Sequence, residues 1–244
     1  FYIFNPESKH GVHLYSRRVF IMDDCQELMP EYFRFVKGVV DAPDLNLNVS
    51  REILQQDRLV RNIRRNLMKK LFDLLKNMEP EAYEKFWEEF GSVLKVGAHT
   101  DFENKNKIAD LLRYKTTKSD GKWKSLQEYV ADMQPDQKDI YYITGENMSA
   151  LINSPLLEQL KSKDFEVLLM TDPIDEWVTQ ALTEYDGKNL KSAEKGDLDL
   201  DKVDEDKRDK YETLFKHIRA KLEDTIKEVR PSTRLTNSVA CLSG

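Results

Sequence analysis

The chain has 244 residues, a formal net charge of −6 at pH 7 and a charged fraction of 34%. This acidic composition argues against a general nucleic-acid-binding protein. No apolar run approaches the roughly 20 residues that span a bilayer, so no membrane segment is predicted. Cys25 and Cys241 lie far apart and outside any CxxC pattern, which indicates neither a disulfide framework nor a zinc site. We therefore expect a cytoplasmic protein that holds no metal through its own residues.

The first third of the chain predicts two strands followed by a long helix. Residues 14–22 are rich in β-forming side chains and predict one strand. Residues 35–41 predict a second strand, with a bulge at Gly38. Apolar residues then recur every three or four positions, so we predict one helix from Arg51 to about Met78. Its predicted buried stripe comprises Val60, Ile63, Leu67, Leu71, Leu74 and Met78, and its other side is basic.

The loop before this helix has the composition of a phosphate-binding element. Ser50 is suited to capping the helix, whereas Arg51 lies in a first turn that disfavours cations, which suggests that it serves an external anion. Arg51 and Gln55 are four residues apart and share one helix face. A guanidinium, an amide and a flexible loop at Asn48 are suited to gripping a phosphate. The alternative is a solvated arginine beside an ordinary helix cap, and spacing alone favours that alternative.

The remainder of the chain predicts helices and then an alternation of strands and helices. An aromatic stripe predicts a helix from Pro80, in which Gly91 either breaks the helix or lies near a packed neighbour. Further helices are predicted at 104–114 and 125–133. Strands at 140–144 and 166–170 alternate with helices at 155–163 and 172–185, which is typical of a parallel α/β sheet. An acidic connector at 194–212 leads into a helix predicted to bury Leu214, Ile218 and Leu222, and 227–230 predicts a strand.

Trp177 follows Glu176 near the start of a predicted helix, with Gln180 three residues further on. Such a tryptophan could be an exposed anchor for unfolded chains, with Asp175 and Glu176 as a polar rim. It could equally be buried against the sheet. Both interpretations stay open at this point.

Four motifs occur in the order of a known family. Asp-Leu-Asn-Leu-Asn-Val-Ser-Arg-Glu at 44–52 closely resembles a signature of the 90-kilodalton heat-shock chaperones, which usually have Pro where this chain has Asn46. The matches at 14–24, 140–146 and 173–177 read Leu-Tyr-Ser-Arg-Arg-Val-Phe-Ile-Met-Asp-Asp, Ile-Tyr-Tyr-Ile-Thr-Gly-Glu and Pro-Ile-Asp-Glu-Trp. The resemblance covers essentially the whole chain, and Trp177 resembles the bacterial branch of the family.

The resemblance implies the middle region of such a chaperone, with an α/β fold. We expect a larger α/β unit with the long basic helix, a helical connector and a smaller α/β unit. The expected boundaries are 1–80 for the larger unit, 81–135 for the connector, 136–231 for the smaller unit and 232–244 for the start of a C-terminal dimerisation domain. The chain starts at Phe1 without an initiator Met, and we expect a fragment of a longer protein.

The resemblance also implies ATP-driven remodelling of unfolded client proteins. ATP with Mg²⁺ would bind a separate N-terminal domain, and Arg51 would contact its terminal phosphate. Gln55 would help to order this arginine and Asn48 would hold the loop. The isolated fragment is expected to be inactive, because no phosphate-cradling motif is readable in it.

Expected partners follow from the same resemblance. They are the N-terminal ATPase domain of the same protein, client proteins bound near Glu176, Trp177 and Gln180, the 70-kilodalton heat-shock chaperone, and a second copy in a full-length homodimer. Neither nucleic acid nor membrane is expected as a partner. The alternative function is a non-catalytic interaction module for client and co-chaperone docking.

Overall fold

The computed structural model describes residues 11–23, 25–45, 57–195, 198, 205–222 and 225–242, with backbone only at 205–210. These residues form a three-stranded sheet near the start of the chain, a group of helices and a six-stranded sheet. The α/β fold class is confirmed. None of the helices within the described residues is long and apolar enough to cross a membrane.

The first sheet has the strand order β2-β1-β3 and comprises β1 (Gly11–Ser16), β2 (Val19–Met22) and β3 (Lys37–Asp41). The single strand predicted at 14–22 is wrong, because the chain reverses at Arg17 and Arg18. Their φ angles of 51° and 66° lie in the left-handed region, which a two-residue hairpin turn of type I′ requires at both central positions. The bulge predicted at Gly38 is also wrong, since β3 pairs with β1 in an unbroken parallel register.

Helix α1 spans Arg58–Lys76 and begins later than predicted. Asp57 has an extended backbone, and its carboxylate accepts hydrogen bonds from the Leu59 and Val60 amides, as expected of a strong N-cap. One continuous helix from Arg51 is therefore wrong, because the extended backbone at Asp57 interrupts it. Of the predicted stripe, Leu74 is wrong, since it is 61% exposed. Val60 is buried as predicted, and the four partly buried members that pack against the core are Ile63, Leu67, Leu71 and Met78. The buried residues of α1 are Val60, Met68, Phe72 and Leu75.

Helix α2 spans Pro80–Thr100 and runs unbroken through Gly91. A Cβ atom at Gly91 would lie 2.7 Å from the Trp87 ring, so the prediction of a packed neighbour is confirmed. The Trp87 side chain is 3% exposed and belongs to the main core. Phe33, in a 3₁₀ turn at Glu31–Phe33, lies 5.4 Å from Phe72 between ring centroids. Aromatic contacts of this kind join α1 to the segment between β2 and β3.

The second sheet has six strands, which are β4 (Arg113–Thr116), β5 (Lys124–Ser125), β6 (Ile140–Thr144), β7 (Val167–Met170), β8 (Glu184–Tyr185) and β9 (Lys188–Ser192). Their order in the sheet is β5-β4-β7-β6-β9-β8. Strands β7 and β9 both lie parallel to β6, which confirms the parallel α/β prediction. Strands β4 and β5 were not predicted, and β4 pairs antiparallel with β7. The segment 81–135, predicted as a helical connector, thus contributes two strands as well as helices, while its boundaries remain predictions.

Short capped helices connect these strands. Ser125 and Glu128 form a capping box at the start of α4 (Leu126–Ala131), and Ser154 caps a 3₁₀ turn at Pro155–Leu157. The helix predicted at 172–185 ends earlier, because Glu184 and Tyr185 pair with β9 across a turn at Asp186 and Gly187. These helices are α3 (Lys105–Leu111), α4 (Leu126–Ala131), α5 (Met148–Ile152), α6 (Glu158–Ser162) and α7 (Asp175–Ala181).

The last part of the described chain departs most from prediction. Helix α8 spans Glu205–Lys221, but Leu214 and Leu222, predicted to be buried, are 50% and 43% exposed. Residues 227–230 do not form the predicted strand. The segment that follows is held by Glu158, whose carboxylate accepts hydrogen bonds from the amides of Thr236, Asn237 and Ser238.

The Gly91 contact predicts a cost for adding one methyl group. Gly91→Ala should destabilise the protein by about 1–3 kcal/mol, although alanine is the better helix former, because the new Cβ would clash with the Trp87 ring. Urea unfolding of the chain measures this change. Gly38→Ala is the matched control, since a Cβ there meets nothing within 4 Å. Equal stability of the two variants would contradict the packing described for α2.

Candidate functional site

The residues predicted to contact a phosphate, Asn48, Arg51 and Gln55, lie outside the described residues. The structure instead defines the two flanks of this segment, which end at Leu45 and begin again at Asp57. The phosphate-contacting role of the three residues therefore stays a prediction.

The upstream flank is held by the β1–β2 hairpin. The Ser16 hydroxyl donates a buried hydrogen bond of 2.6 Å to the carbonyl of Leu45. The Arg17 guanidinium donates from Nε to the Pro43 carbonyl at 3.0 Å, and the Arg18 amide donates to the Asp41 carboxylate at 3.2 Å. The chain is thus fixed on the first sheet as far as Leu45.

The downstream flank is the capped start of α1. Arg58 is exposed in the first turn. Arg64, one of the basic residues of the helix, has a structural role, because its guanidinium donates to the carbonyls of Gln26 and Glu27 at 3.2 and 3.3 Å. One residue of the basic face thus binds α1 to the turn that contains Gln26 and Glu27.

The second predicted site surrounds Trp177 on α7. The Trp177 side chain is 51% exposed, so the alternative in which it is buried against the sheet is wrong. Its ring meets the ring of His99 edge to face, with 5.2 Å between centroids. Glu176 and Gln180 are also exposed. Asp175, predicted to form a polar rim with Glu176, is wholly buried instead.

Asp175 is buried because it pairs with a lysine from α2. The Lys95 ammonium lies 2.8 Å from Oδ1 of Asp175 and 2.6 Å from Oδ2 of Asp172. Lys95 itself is 3% exposed, and its nitrogen lies 4.7 Å from the centroid of the Tyr114 ring. This cluster of Lys95, Asp172, Asp175 and Tyr114 is called the Lys95 cluster below.

Burial raises the pKa of the Asp175 carboxyl, while the charge of Lys95 and a hydrogen bond from the Asp172 amide oppose that rise. Opposite charges of this kind are tolerated in a core only when they are paired and hydrogen-bonded. The cluster therefore joins α2 to the first turn of α7.

A second lysine holds the other end of α7. The Lys105 ammonium, at the start of α3, donates to the carbonyl of Ala181 at 3.1 Å, where a cation also complements the helix dipole. Both ends of α7 are thus bound by lysines from neighbouring helices. Trp177 lies between these two contacts, on a helix whose position is fixed.

Comparisons with known proteins agree with this fold. The sequence model of the Hsp90 protein family matches residues 1–244. The chain is 48% identical over 256 residues to the chaperone protein HtpG of Geobacter metallireducens, covering 99% of this chain and 39% of that protein. It is 49% identical over 248 residues to the HtpG of Bdellovibrio bacteriovorus, covering 97% and 40%.

A solved structure is similar as well. The middle domain of a heat shock protein of Plasmodium falciparum superposes with a TM-score of 0.68 at 32% identity, covering 78% of this chain and 76% of that one. The architecture is therefore that of a chaperone middle domain. The chain belongs to the Hsp90 protein family, which confirms the resemblance of the four motifs. It spans about two fifths of the length of the curated relatives it matches.

The Lys95 cluster predicts a large loss of stability when its cation is removed. Lys95→Met should cost about 3–5 kcal/mol, because it leaves a buried carboxylate without its partner. Thermal unfolding of the chain measures the loss. Lys118→Met is the matched control, since Lys118 and Asp164 form a more exposed pair worth less than about 1 kcal/mol.

Adding Asp175→Asn to Lys95→Met should restore part of the stability, because the unpaired charge is then also removed. Equal melting temperatures for Lys95→Met and Lys118→Met would show that the Lys95 cluster does not hold α7.

Proposed function

We propose that this chain is the middle segment of an ATP-dependent chaperone, which binds unfolded clients and completes the ATPase site of a separate N-terminal domain. The observation that carries the proposal is the exposed Trp177 on a helix fixed at both ends, in a chain of the Hsp90 family. The names of the bacterial relatives, chaperone protein HtpG, support the same function.

Arg51 carries the catalytic part of the proposal. ATP with Mg²⁺ would be bound by the N-terminal domain, and Arg51 would reach its terminal phosphate, with Gln55 ordering the arginine and Asn48 holding the loop. The anchoring of Leu45 by Ser16 and the cap at Asp57 support this arrangement, because they fix the positions of the two ends of the segment that carries Arg51. An arginine supplied in this way contributes roughly 10³ or more to phosphoryl-transfer rates.

Arg51→Ala in the full-length protein should lower ATP turnover about 10³-fold or more while leaving nucleotide affinity nearly unchanged. Steady-state hydrolysis and nucleotide titration measure the two effects separately. Arg58→Ala is the matched control, because Arg58 is an exposed arginine on α1 close in sequence. The isolated chain should hydrolyse no ATP. Unchanged turnover in Arg51→Ala would remove the catalytic role.

Client binding is carried by the exposed surface of α7. The Trp177 ring offers a large apolar area with little conformational entropy to lose, and it is presented beside exposed Glu176 and Gln180. An aromatic anchor with polar neighbours suits unfolded segments that expose apolar and basic side chains. The further partners proposed for the full-length protein are a second copy in a homodimer and the 70-kilodalton heat-shock chaperone.

A non-catalytic interaction module is the second candidate. One observation favours it, namely that the proposed docking helix α7 and its exposed Trp177 both lie within the described residues. In that case client and co-chaperone docking would be the whole function, and Arg51 would be incidental. The turnover of Arg51→Ala separates the two candidates.

Trp177→Ala should weaken client binding by the full-length protein about 10-fold, with a small change in stability, because the ring is half exposed. Binding of a permanently unfolded protein and the melting temperature of the same variant are the two measurements. Leu74→Ala removes an apolar side chain that is 61% exposed elsewhere, on α1, and serves as control. A stability loss of about 3–5 kcal/mol, typical of buried aromatics, together with intact client affinity would end the anchor role.

A further inference from the structure

A second exposed aromatic side chain lies beside α7. Phe102, in the turn between α2 and α3, is 74% exposed. Among the described residues, only Val239 and Leu242 near the end of the chain are more exposed large apolar side chains. Exposing a phenylalanine to this extent forgoes the stabilisation that its burial would give. An exposed phenylalanine close to Trp177 is therefore a candidate for a second contact with a ligand.

The turn that carries Phe102 is well ordered by hydrogen bonds. The Tyr32 hydroxyl, from the core, donates to Oδ2 of Asp101 at 2.6 Å. The amide and side chain of Asn104 donate to the same carboxylate at 3.1 and 3.0 Å. Asp101 thus closes the turn from both sides. Phe102 is presented by a fixed backbone, in the same way that Trp177 is presented by a helix held at both ends.

Two contacts place this turn alongside α7. His99, three residues before Phe102, meets the Trp177 ring. Lys105, three residues after it, binds the carbonyl of Ala181 at the end of α7. Three residues of chain span at most about 11 Å between Cα atoms, so the Phe102 backbone lies within that distance of both residues that contact α7.

Both aromatic residues have a negatively charged neighbour in the sequence. Glu103 follows Phe102 and Glu176 precedes Trp177, and both glutamates are exposed. Lys195 lies 3.6 Å from Glu176 in an ion pair whose two side chains are 63% and 48% exposed, and a ligand cation can replace so weak a surface pair. Lys95 is 3% exposed and pairs with Asp172 and Asp175 instead. Each aromatic anchor therefore has a solvent-facing carboxylate as its sequence neighbour, which favours a basic ligand.

We propose that Phe102 and Trp177 form one two-anchor surface, which binds an extended client segment carrying two apolar side chains with basic residues between them. This inference rests on the client-binding part of the proposed function and names its ligand class. In an extended segment, side chains at positions i and i+4 lie on one face about 13 Å apart. That spacing lets each of them contact one aromatic ring while lysines between them meet Glu103 and Glu176.

The test measures binding of short fluorescein-labelled peptides to the full-length protein by anisotropy. The first peptide has two phenylalanines four residues apart with lysines between them. The second replaces one phenylalanine by serine, and the third replaces the lysines by glutamates. The protein variants are Phe102→Ala, Trp177→Ala and the control Leu74→Ala.

We expect Phe102→Ala and Trp177→Ala each to weaken the two-phenylalanine peptide about 5- to 10-fold, and Leu74→Ala to leave it unchanged. For the one-phenylalanine peptide the effect of Phe102→Ala should fall below about two-fold. The acidic peptide should bind the unchanged protein more weakly than the basic one. The melting temperature of each variant shows whether it is folded. We expect small changes in melting temperature, because each substitution removes an exposed side chain.

The outcomes separate the two proposals. If Phe102→Ala behaves like Leu74→Ala while Trp177→Ala weakens binding, the two-anchor surface is overturned and client binding at Trp177 stands. If neither aromatic variant weakens binding, the client-binding function itself fails. Equal binding of the basic and acidic peptides would overturn the ligand class, because the two glutamates would then contribute nothing to recognition.

Discussion

The buried ion pair of Lys95 with Asp175, which the partly exposed Asp172 joins, is the contact on which the surface around Trp177 depends. Two carboxylates near a desolvated ammonium fix the loop before α7 and its first turn on α2. Lys105 fixes the other end of the same helix. An exposed tryptophan is costly to hold in one orientation unless its helix is rigid. The position of Trp177 is thus set by the contacts at both ends of α7 and by the contact of its ring with His99.

The segment that carries Arg51 is also preceded by residues that hydrogen bonds hold in place. The two residues of the β1–β2 turn adopt left-handed conformations that are unfavourable for arginine, and Arg17 uses its position to bind the Pro43 carbonyl. Ser16 binds Leu45 from the same hairpin. A strained turn thus helps to fix the chain just before the segment that we propose to reach the nucleotide.

Much of the fold could be predicted from local sequence, because its signals act over a few residues. The caps at Ser125 and Ser154 and the alternation that gives parallel β6 and β7 are of this kind. The hairpin at Arg17 and Arg18 was missed because it lacks the usual Asn-Gly turn. Strand β4 was missed because it is stabilised by a partner about fifty residues away.

The site was less predictable than the fold, because burial at Trp177 and Asp175 depends on α2, which is distant in sequence. Trp177 could be assigned to the surface only once its neighbours were known, and Asp175 was wrongly assigned to the rim. Lys95 was not singled out, although it follows Trp87 and Gly91 at steps of four. A lysine in such a buried stripe requires a carboxylate partner, and that pattern was the available signal. The assignment of Asn48, Arg51 and Gln55 still rests on the family resemblance.

The central claim, that Trp177 is a fixed and solvent-facing client anchor, can be tested most directly by ¹⁹F NMR of the full-length protein labelled with 5-fluorotryptophan. This chain contributes three tryptophans, and Trp177→Phe assigns the resonance of interest. The account predicts that the Trp177 resonance shifts strongly between H₂O and D₂O and moves again when an unfolded client is added, whereas the resonance of buried Trp87 responds to neither. A Trp177 resonance that is insensitive to solvent, or unchanged at saturating client, would contradict it.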